Sequence, residues 1–146
     1  MYKLICKANK IAYINDELYY YIIRNNSITR EFSLKALLDK IMVTDEMNSF
    51  ITHEHPELSE LCTMDKIRNV YRCHSLVCRY LNLDVFKNNT DLLKEYEFFK
   101  CNYKSVKNIL NKYNFLYDVL FINRKLFYIL TKIKYKVKDF LKIKWG

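Results

Sequence analysis

The chain has 146 residues, of which 51% are hydrophobic, and a formal net charge of +9. This hydrophobic content excludes wholesale disorder, and a single Gly and a single Pro argue against a β-sandwich or barrel, which needs many turns. We therefore expect a mainly α fold, an irregular helical bundle preceded by a short N-terminal β-hairpin.

The predicted hairpin is the densest run of strand-forming residues in the chain. Its strands are Lys10–Ile14 and Glu17–Ile23, which are rich in β-branched and aromatic residues and are separated only by Asn15-Asp16. An isolated hairpin is marginally stable in water, so this one is expected to pair with a larger sheet.

The segment around this hairpin resembles a known family. Tyr2–Glu31 is similar to the end of the catalytic domain of family 2 glycosyltransferases of the bacterial surface-polysaccharide kind. The resemblance rests on a Lys-x-x-Lys-Ile strand at Lys7–Ile11, a Leu-Tyr-x-Tyr strand at Leu18–Tyr21, and an Arg-x-x-Ser-Ile turn that begins at Arg24.

The resemblance implies that this chain is the C-terminal portion of such an enzyme, with Met1 at an internal position. Residues 1–31 would be the remnant of the α/β catalytic domain, and residues 32–146 a helical C-terminal domain. The parent would transfer a sugar from a nucleotide-sugar donor to a polysaccharide or lipid-linked acceptor with the help of Mg or Mn. The donor site and catalytic base would lie upstream, so this chain alone is expected to be inactive, without catalytic residues or a cofactor of its own.

Three residues of the turn after the second strand are assigned to the donor by the resemblance. Arg24, Asn26 and Ser27 would bind its diphosphate, where an Arg can neutralise charge through strong hydrogen bonds. The alternative is that Arg24 is a solvated loop residue and that Ser27 caps a turn.

Downstream of residue 32 the spacing of apolar residues predicts helices. We expect a helix at 33–52, capped by Ser33 and ended before Pro56, and a second helix from Pro56 or Glu57 to Leu81. A loop at Asp84–Thr90 follows, and its Asn89 or Thr90 caps the next helix, which runs from Asp91 to a break near Lys104 or Ser105. The remaining predicted elements are a short helix at Ser105–Tyr113 and a nearly continuous helix at Asn114–Trp145.

The charge is concentrated at the C-terminal end. Residues 1–103 contain 14 basic and 14 acidic residues, whereas residues 104–146 contain 11 basic and 2 acidic residues. Within the tail at 124–146, an apolar series at spacings of three and four predicts a packed seam. Its members are Leu126, Leu130, Ile133, Val137 and Phe140.

This basic tail has two interpretations. It can lie on an anionic membrane surface, with contacts from Lys125, Lys132, Lys136, Lys138 and Trp145. Alternatively, it packs on the bundle and its lysines are solvated. Nucleic-acid binding is disfavoured because no recognition motif surrounds the basic residues.

The cysteines and histidines do not indicate a metal site. The five cysteines, Cys6, Cys62, Cys73, Cys78 and Cys101, are expected to be free and buried because they sit within apolar periodic patterns. Neither His53-x-His55 with Cys62 nor Cys73-His74 with Cys78 has the paired Cys-x-x-Cys spacing of a structural zinc site.

A second hypothesis comes from another functional class. The chain would be a free-standing helical interaction module that binds a partner protein or an anionic membrane surface, and homodimerisation stays open. No run of eighteen apolar residues predicts a membrane span, so we expect a cytoplasmic protein, peripheral at the inner face of the cell membrane.

Overall fold

The computed structural model describes residues 7–10, 12, 32–110 and 115–144, with side chains described as far as residue 141. The chain divides into two compact units, Met1–Phe32 and Ser33–Gly146. The described part of the second unit, here called the helical body, contains helices and no strands, so the predicted mainly α fold is confirmed. The strand pairing predicted for the hairpin lies outside the described residues.

Six α-helices form the described part of the helical body. They are α1 (Leu34–Glu54), α2 (Ser59–Tyr80), α3 (Leu83–Asn88), α4 (Thr90–Val106), α5 (Leu116–Ile122) and α6 (Arg124–Lys144). A 3-10 turn at Pro56–Leu58 joins the first two. The predicted cap of α1 is confirmed, because the Ser33 hydroxyl accepts a hydrogen bond from the Ala36 amide at 3.2 Å.

The loop predicted at Asp84–Thr90 is wrong, because most of it is the short helix α3. The Asn82 side chain accepts a hydrogen bond from the Val85 amide at 2.9 Å and so caps this helix. Phe86, on the inner face of α3, is fully buried. One capped turn with a buried aromatic anchor thus offsets the poor helix propensity of the Asn-rich sequence. The predicted cap at Asn89 is confirmed by its 2.9 Å bond from the Leu92 amide.

The break predicted near Lys104 or Ser105 is confirmed to within two residues, because α4 ends at Val106. The side chain of Val106 is 1% exposed. Residues 107–110 form turns, where a short helix at Ser105–Tyr113 was expected.

The nearly continuous helix predicted at Asn114–Trp145 is helical through most of its described part, but Asn123 interrupts it. The backbone there is extended, with φ −150° and ψ 107°, and the Asn123 side chain accepts a hydrogen bond from the Leu126 amide at 2.9 Å. Asn favours this N-cap geometry over the interior of a helix. The interruption separates α5 from α6.

Helix α2 lies at the centre of the helical body and packs against α1, α4 and α6. Nine of its residues are buried: Cys62, Ile67, Val70, Tyr71, Cys73, His74, Ser75, Val77 and Cys78. An aromatic layer extends this core, in which the Tyr71 and Tyr117 rings stack with centroids 3.9 Å apart and Phe127 meets Tyr71 edge-on at 5.7 Å. Tyr117 and Phe127 thereby join α5 and α6 to α2.

The seam predicted along α6 is wrong, because a different face of this helix packs on the body. Phe127 and Thr131 are fully buried. In contrast, four of the five predicted seam residues are between 45% and 65% exposed. These are Leu126, Ile133, Val137 and Phe140. The spacing of three and four identified a real apolar stripe, but this stripe faces solvent.

The orientation of α6 can be tested by the stability of two alanine variants. We expect Phe127→Ala to reduce the free energy of unfolding by roughly 3–5 kcal/mol, because it opens a cavity beside Tyr71. Ile129→Ala, on the opposite side of the helix and 52% exposed, should change it by less than about 1 kcal/mol. Urea denaturation measures both, and similar losses in the two variants would contradict the described orientation.

Candidate functional site

One face of α6 is fixed to the C-terminal end of α2. The Tyr128 hydroxyl donates a hydrogen bond to the Leu81 carbonyl at 3.1 Å, and the Lys132 ammonium lies 3.3 Å from the carbonyls of both Arg79 and Leu81. The Arg79 guanidinium in turn pairs with Asp139 at 2.9 Å. The Tyr128 hydroxyl and the Lys132 ammonium satisfy carbonyls that the end of α2 leaves unpaired, and the charge of Lys132 complements the dipole of α2.

The opposite face of α6 is apolar and exposed. Its large hydrophobic side chains, which we call the outer stripe, are all between 45% and 65% exposed. They are Leu126, Ile129, Ile133, Val137, Phe140 and Leu141. Successive members are mostly three or four residues apart, so they form a single line over about four helical turns. Scattered exposed hydrophobic residues are normal on proteins, whereas a continuous line of six is typical of surfaces that bind a partner or a membrane.

Lysines border the outer stripe on both sides. At 3.6 residues per turn, Lys134 and Lys138 lie along one edge and Lys125 and Lys136 along the other. All four, here called the edge lysines, are exposed, and none forms a salt bridge with a described residue. The acidic residue of this helix, Asp139, lies on the body side with Arg79. The outer face of α6 is therefore apolar along its middle and positively charged along both edges.

Only some of the residues predicted for membrane contact lie along the edges of the outer stripe. Lys125, Lys136 and Lys138 are edge lysines, whereas Lys132 is engaged with the end of α2. Trp145 lies outside the described residues, as do the predicted donor-binding residues Arg24, Asn26 and Ser27. Lys134 was missed, although its position beside Ile133 and Val137 on a helical wheel could have identified it.

Arg124 shows why a count of basic residues overstates the charge of this surface. Its guanidinium lies over the rings of Phe86 and Tyr96, at 4.4 and 5.3 Å from their centroids, and donates to the Lys87 carbonyl at 3.3 Å. This half-buried cation holds the start of α6 against α3 and α4. It is not available to an external partner.

A cleft of about 590 Å³ lies between α1, α2 and α4 and is a second candidate site. At its edge, Lys66 lies between two carboxylates, 2.7 Å from Asp45 and 3.6 Å from Glu95, and its ammonium sits 4.0 Å from the Phe98 ring centroid. Burial raises the pKa of Glu95 while Lys66 opposes that shift. The lysine that lines the cleft is therefore already paired with carboxylates of the described residues and is not available to an anionic ligand.

The buried thiols and the buried imidazole have the properties of core groups. Cys62, Cys73 and Cys78 are free and buried, as predicted, but Cys101 is exposed, so that part of the prediction is wrong. Burial raises the pKa of Cys73 and of Cys78 to about 12, which keeps both thiols protonated and unreactive. Among the described residues no group of three or more His, Cys, Asp or Glu could hold a metal ion.

Comparisons with known proteins do not assign the chain to a family. No family model, no curated protein and no solved structure matches it. Within the described part of the chain, no helix combines the length and the hydrophobicity needed to cross a bilayer.

His74 generates a prediction about stability and pH. Burial, with a smaller contribution from the charge of Arg124, lowers the pKa of His74 to about 4, against the opposing effect of the Val70 and Leu92 carbonyls. In the unfolded chain the imidazole takes up a proton near its ordinary pKa of 6.5. The stability that the neutral ring contributes is therefore complete above about pH 6.5 and is lost as the pH falls towards about 4.

Between pH 7 and pH 5 we expect the free energy of unfolding of the wild type to fall by about 2 kcal/mol more than that of His74→Gln. Urea denaturation at both pH values measures this difference. The raised pKa of Glu95 contributes with the opposite sign, but both proteins share it. Equal pH dependence in the two proteins would show that His74 is not held neutral by burial.

Proposed function

We propose that the helical body docks on an anionic membrane surface through α6. The helix would lie in the plane of the interface, with the outer stripe at the boundary between headgroups and acyl chains and the edge lysines among the phosphates. The observation that carries the proposal is the exposed apolar stripe bordered on both sides by lysines that form no salt bridge with a described residue. Long lysine side chains in this position can extend sideways to the headgroups while their stems cover apolar surface.

The energies involved suit reversible attachment. Burial of apolar surface is worth about 25 cal/mol per Å², so six half-exposed side chains supply several kcal/mol in total. Each edge lysine near an anionic leaflet adds about 1 kcal/mol. Because α6 is already folded on the body, little conformational entropy is lost when it binds.

Charge favours a membrane over a second copy of this chain as the occupant of the outer stripe. If two copies packed through their stripes, the edge lysines of one helix would lie along those of the other. Like charges facing each other along a helix pair oppose association. An anionic lipid surface instead supplies negative charge on both sides of the stripe.

We also propose, on the resemblance of Tyr2–Glu31 alone, that the docked protein serves a glycosyltransferase reaction. A membrane-bound helical domain would hold such an enzyme beside a lipid-linked acceptor at the cytoplasmic face. The divalent metal, Mg or Mn, and the nucleotide-sugar would belong to the parent enzyme. Support for this part comes from the sequence motifs, since Arg24, Asn26 and Ser27 lie outside the described residues.

The docking proposal is tested by a matched pair of charge insertions. Ile133→Glu places a carboxylate in the middle of the outer stripe at a position that is 52% exposed. Val43→Glu makes the same change on α1 at a position that is 57% exposed. We expect Ile133→Glu to weaken binding to phosphatidylglycerol-containing vesicles by about tenfold or more, because it removes apolar contact and adds repulsion. Val43→Glu should bind like the wild type, as measured by co-sedimentation.

The salt dependence of the same assay separates membrane docking from aggregation on vesicles. Wild-type binding should weaken as the salt concentration rises, because salt screens the edge lysines. It should be weak on vesicles made only of zwitterionic lipid. Equal binding by the two variants, or equal binding to neutral and anionic vesicles, would reject the proposal.

A further inference from the structure

A second concave surface lies between α2, α5 and α6. This groove has a volume of about 480 Å³ and is separate from the outer stripe, although Lys134 borders both. Its polar lining comes from Arg68, Arg72, Ser75, Tyr117, Lys134 and Tyr135, with no acidic residue among the groups that line it. We call it the basic groove.

The cations of the basic groove are exposed and have no carboxylate partner among the residues that the structure describes. Arg68, Arg72 and Lys134 are exposed, and none forms a salt bridge with a described residue. On the same helix α2, by contrast, Lys66 pairs with Asp45 and Glu95, and Arg79 pairs with Asp139. The fold thus neutralises the cations on either side of Arg68 and Arg72 along α2, whereas these two arginines have no carboxylate partner in the described part of the chain.

The floor of the basic groove supplies hydroxyl groups at fixed positions. The hydroxyls of Ser75 and Tyr135 are hydrogen-bonded to each other at 3.1 Å, and Ser75 is only 6% exposed. Beside them, the Tyr117 ring is held by its stacking on Tyr71. In this hydroxyl pair one group donates to the other, so one O–H stays available to a ligand. Two forked guanidiniums, one ammonium and fixed hydroxyl donors are the groups that recognise phosphate oxygens.

We propose that the basic groove binds a phosphate monoester group. The arginines would contact its oxygens in bidentate fashion, Lys134 would balance the remaining charge, and the Ser75–Tyr135 pair would donate from below. A monoester offers three terminal oxygens and close to two negative charges, which matches the three cations that line this groove better than a singly charged diester does. A phosphate group of this kind can belong to a soluble phosphate or to a lipid headgroup that ends in a monoester.

The inference extends the proposed function but does not depend on it, because a soluble phosphate could occupy the basic groove without any membrane. Lys134 lies both in the groove and along the outer stripe. A lipid headgroup in the groove would therefore belong to the leaflet on which α6 rests. The two sources of phosphate make different predictions, and both can be tested with the same variants.

The test compares the full chain with Arg68→Gln/Arg72→Gln and with a control, Lys94→Gln/Lys100→Gln. All four positions are exposed, and the control removes the same charge from α4. Inorganic phosphate is titrated into each protein and followed by amide chemical shifts. Vesicles of equal surface charge, containing either phosphatidic acid or phosphatidylglycerol, are compared by co-sedimentation.

If soluble phosphate is the source, we expect saturable shifts at Ser75 and Tyr135 that weaken about tenfold or more in the arginine variant and not in the control. If a headgroup is the source, the wild type should prefer phosphatidic acid over phosphatidylglycerol, and only the arginine variant should lose that preference. The inference is overturned if the arginine variant matches the control in both measurements.

The outcome for the basic groove can be separated from the outcome for membrane docking. Ile133→Glu leaves the groove lining intact, so it should keep the phosphate shifts even when it no longer binds vesicles. Loss of vesicle binding with retained phosphate binding supports the groove on its own. Retained vesicle binding in Ile133→Glu, together with loss of phosphate shifts in the arginine variant, rejects docking through the stripe and leaves the groove.

Discussion

The carbonyls at the end of α2 determine how the last helix is presented. Tyr128 and Lys132 bond to them, and Arg79 holds Asp139 about two helical turns beyond Lys132. Phe127 adds a fully buried anchor beside Tyr71. A helix fixed along one side has no freedom to turn its other side inwards, so the outer stripe must face solvent. Both proposed surfaces follow from this constraint.

The core that supports this arrangement combines aliphatic side chains with stacked aromatic rings and with groups held neutral. Tyr71, Phe99, Tyr103 and Tyr117 stack with one another across α2, α4 and α5. Buried thiols on α2 stay protonated and the buried imidazole of His74 stays neutral, so the centre of the body carries little net charge. The charge on which both proposals rest therefore lies at the surface, on α6 and in the basic groove.

The sequence predicted the parts of this structure that depend on local pattern. Helical spacing identified α1, α2 and α4, and the preference of Ser and Asn for N-caps predicted Ser33 and Asn89. Prediction from the sequence failed where tertiary contacts determine the local structure. The Asn-rich segment around Phe86 is helical because that ring is buried. A break at Asn123 depends on its side chain capping the next helix, which periodicity does not reveal.

Helix α6 shows the limit of periodicity most clearly. Its apolar residues lie on two opposite faces, and spacing alone cannot say which face meets the body. The larger series, which includes Ile133 and Val137, has the spacing of a packed seam. Phe127 and Thr131 are nevertheless the residues buried against the helical body. In the same way, Lys132 and Arg124 could not be recognised from sequence as structural cations. Their partners are the carbonyls of α2 and the rings of Phe86 and Tyr96.

The most direct measurement of the central claim is the depth of single tryptophans in bound vesicles. The chain has one native Trp, so a Trp145→Phe background allows Ile133→Trp, on the outer stripe, to be compared with Val43→Trp on α1. With phospholipids brominated along the acyl chain, the account predicts strong quenching of Ile133→Trp and none of Val43→Trp. Equal quenching at both positions, or none at Ile133→Trp while the protein stays bound, would contradict docking through the outer stripe.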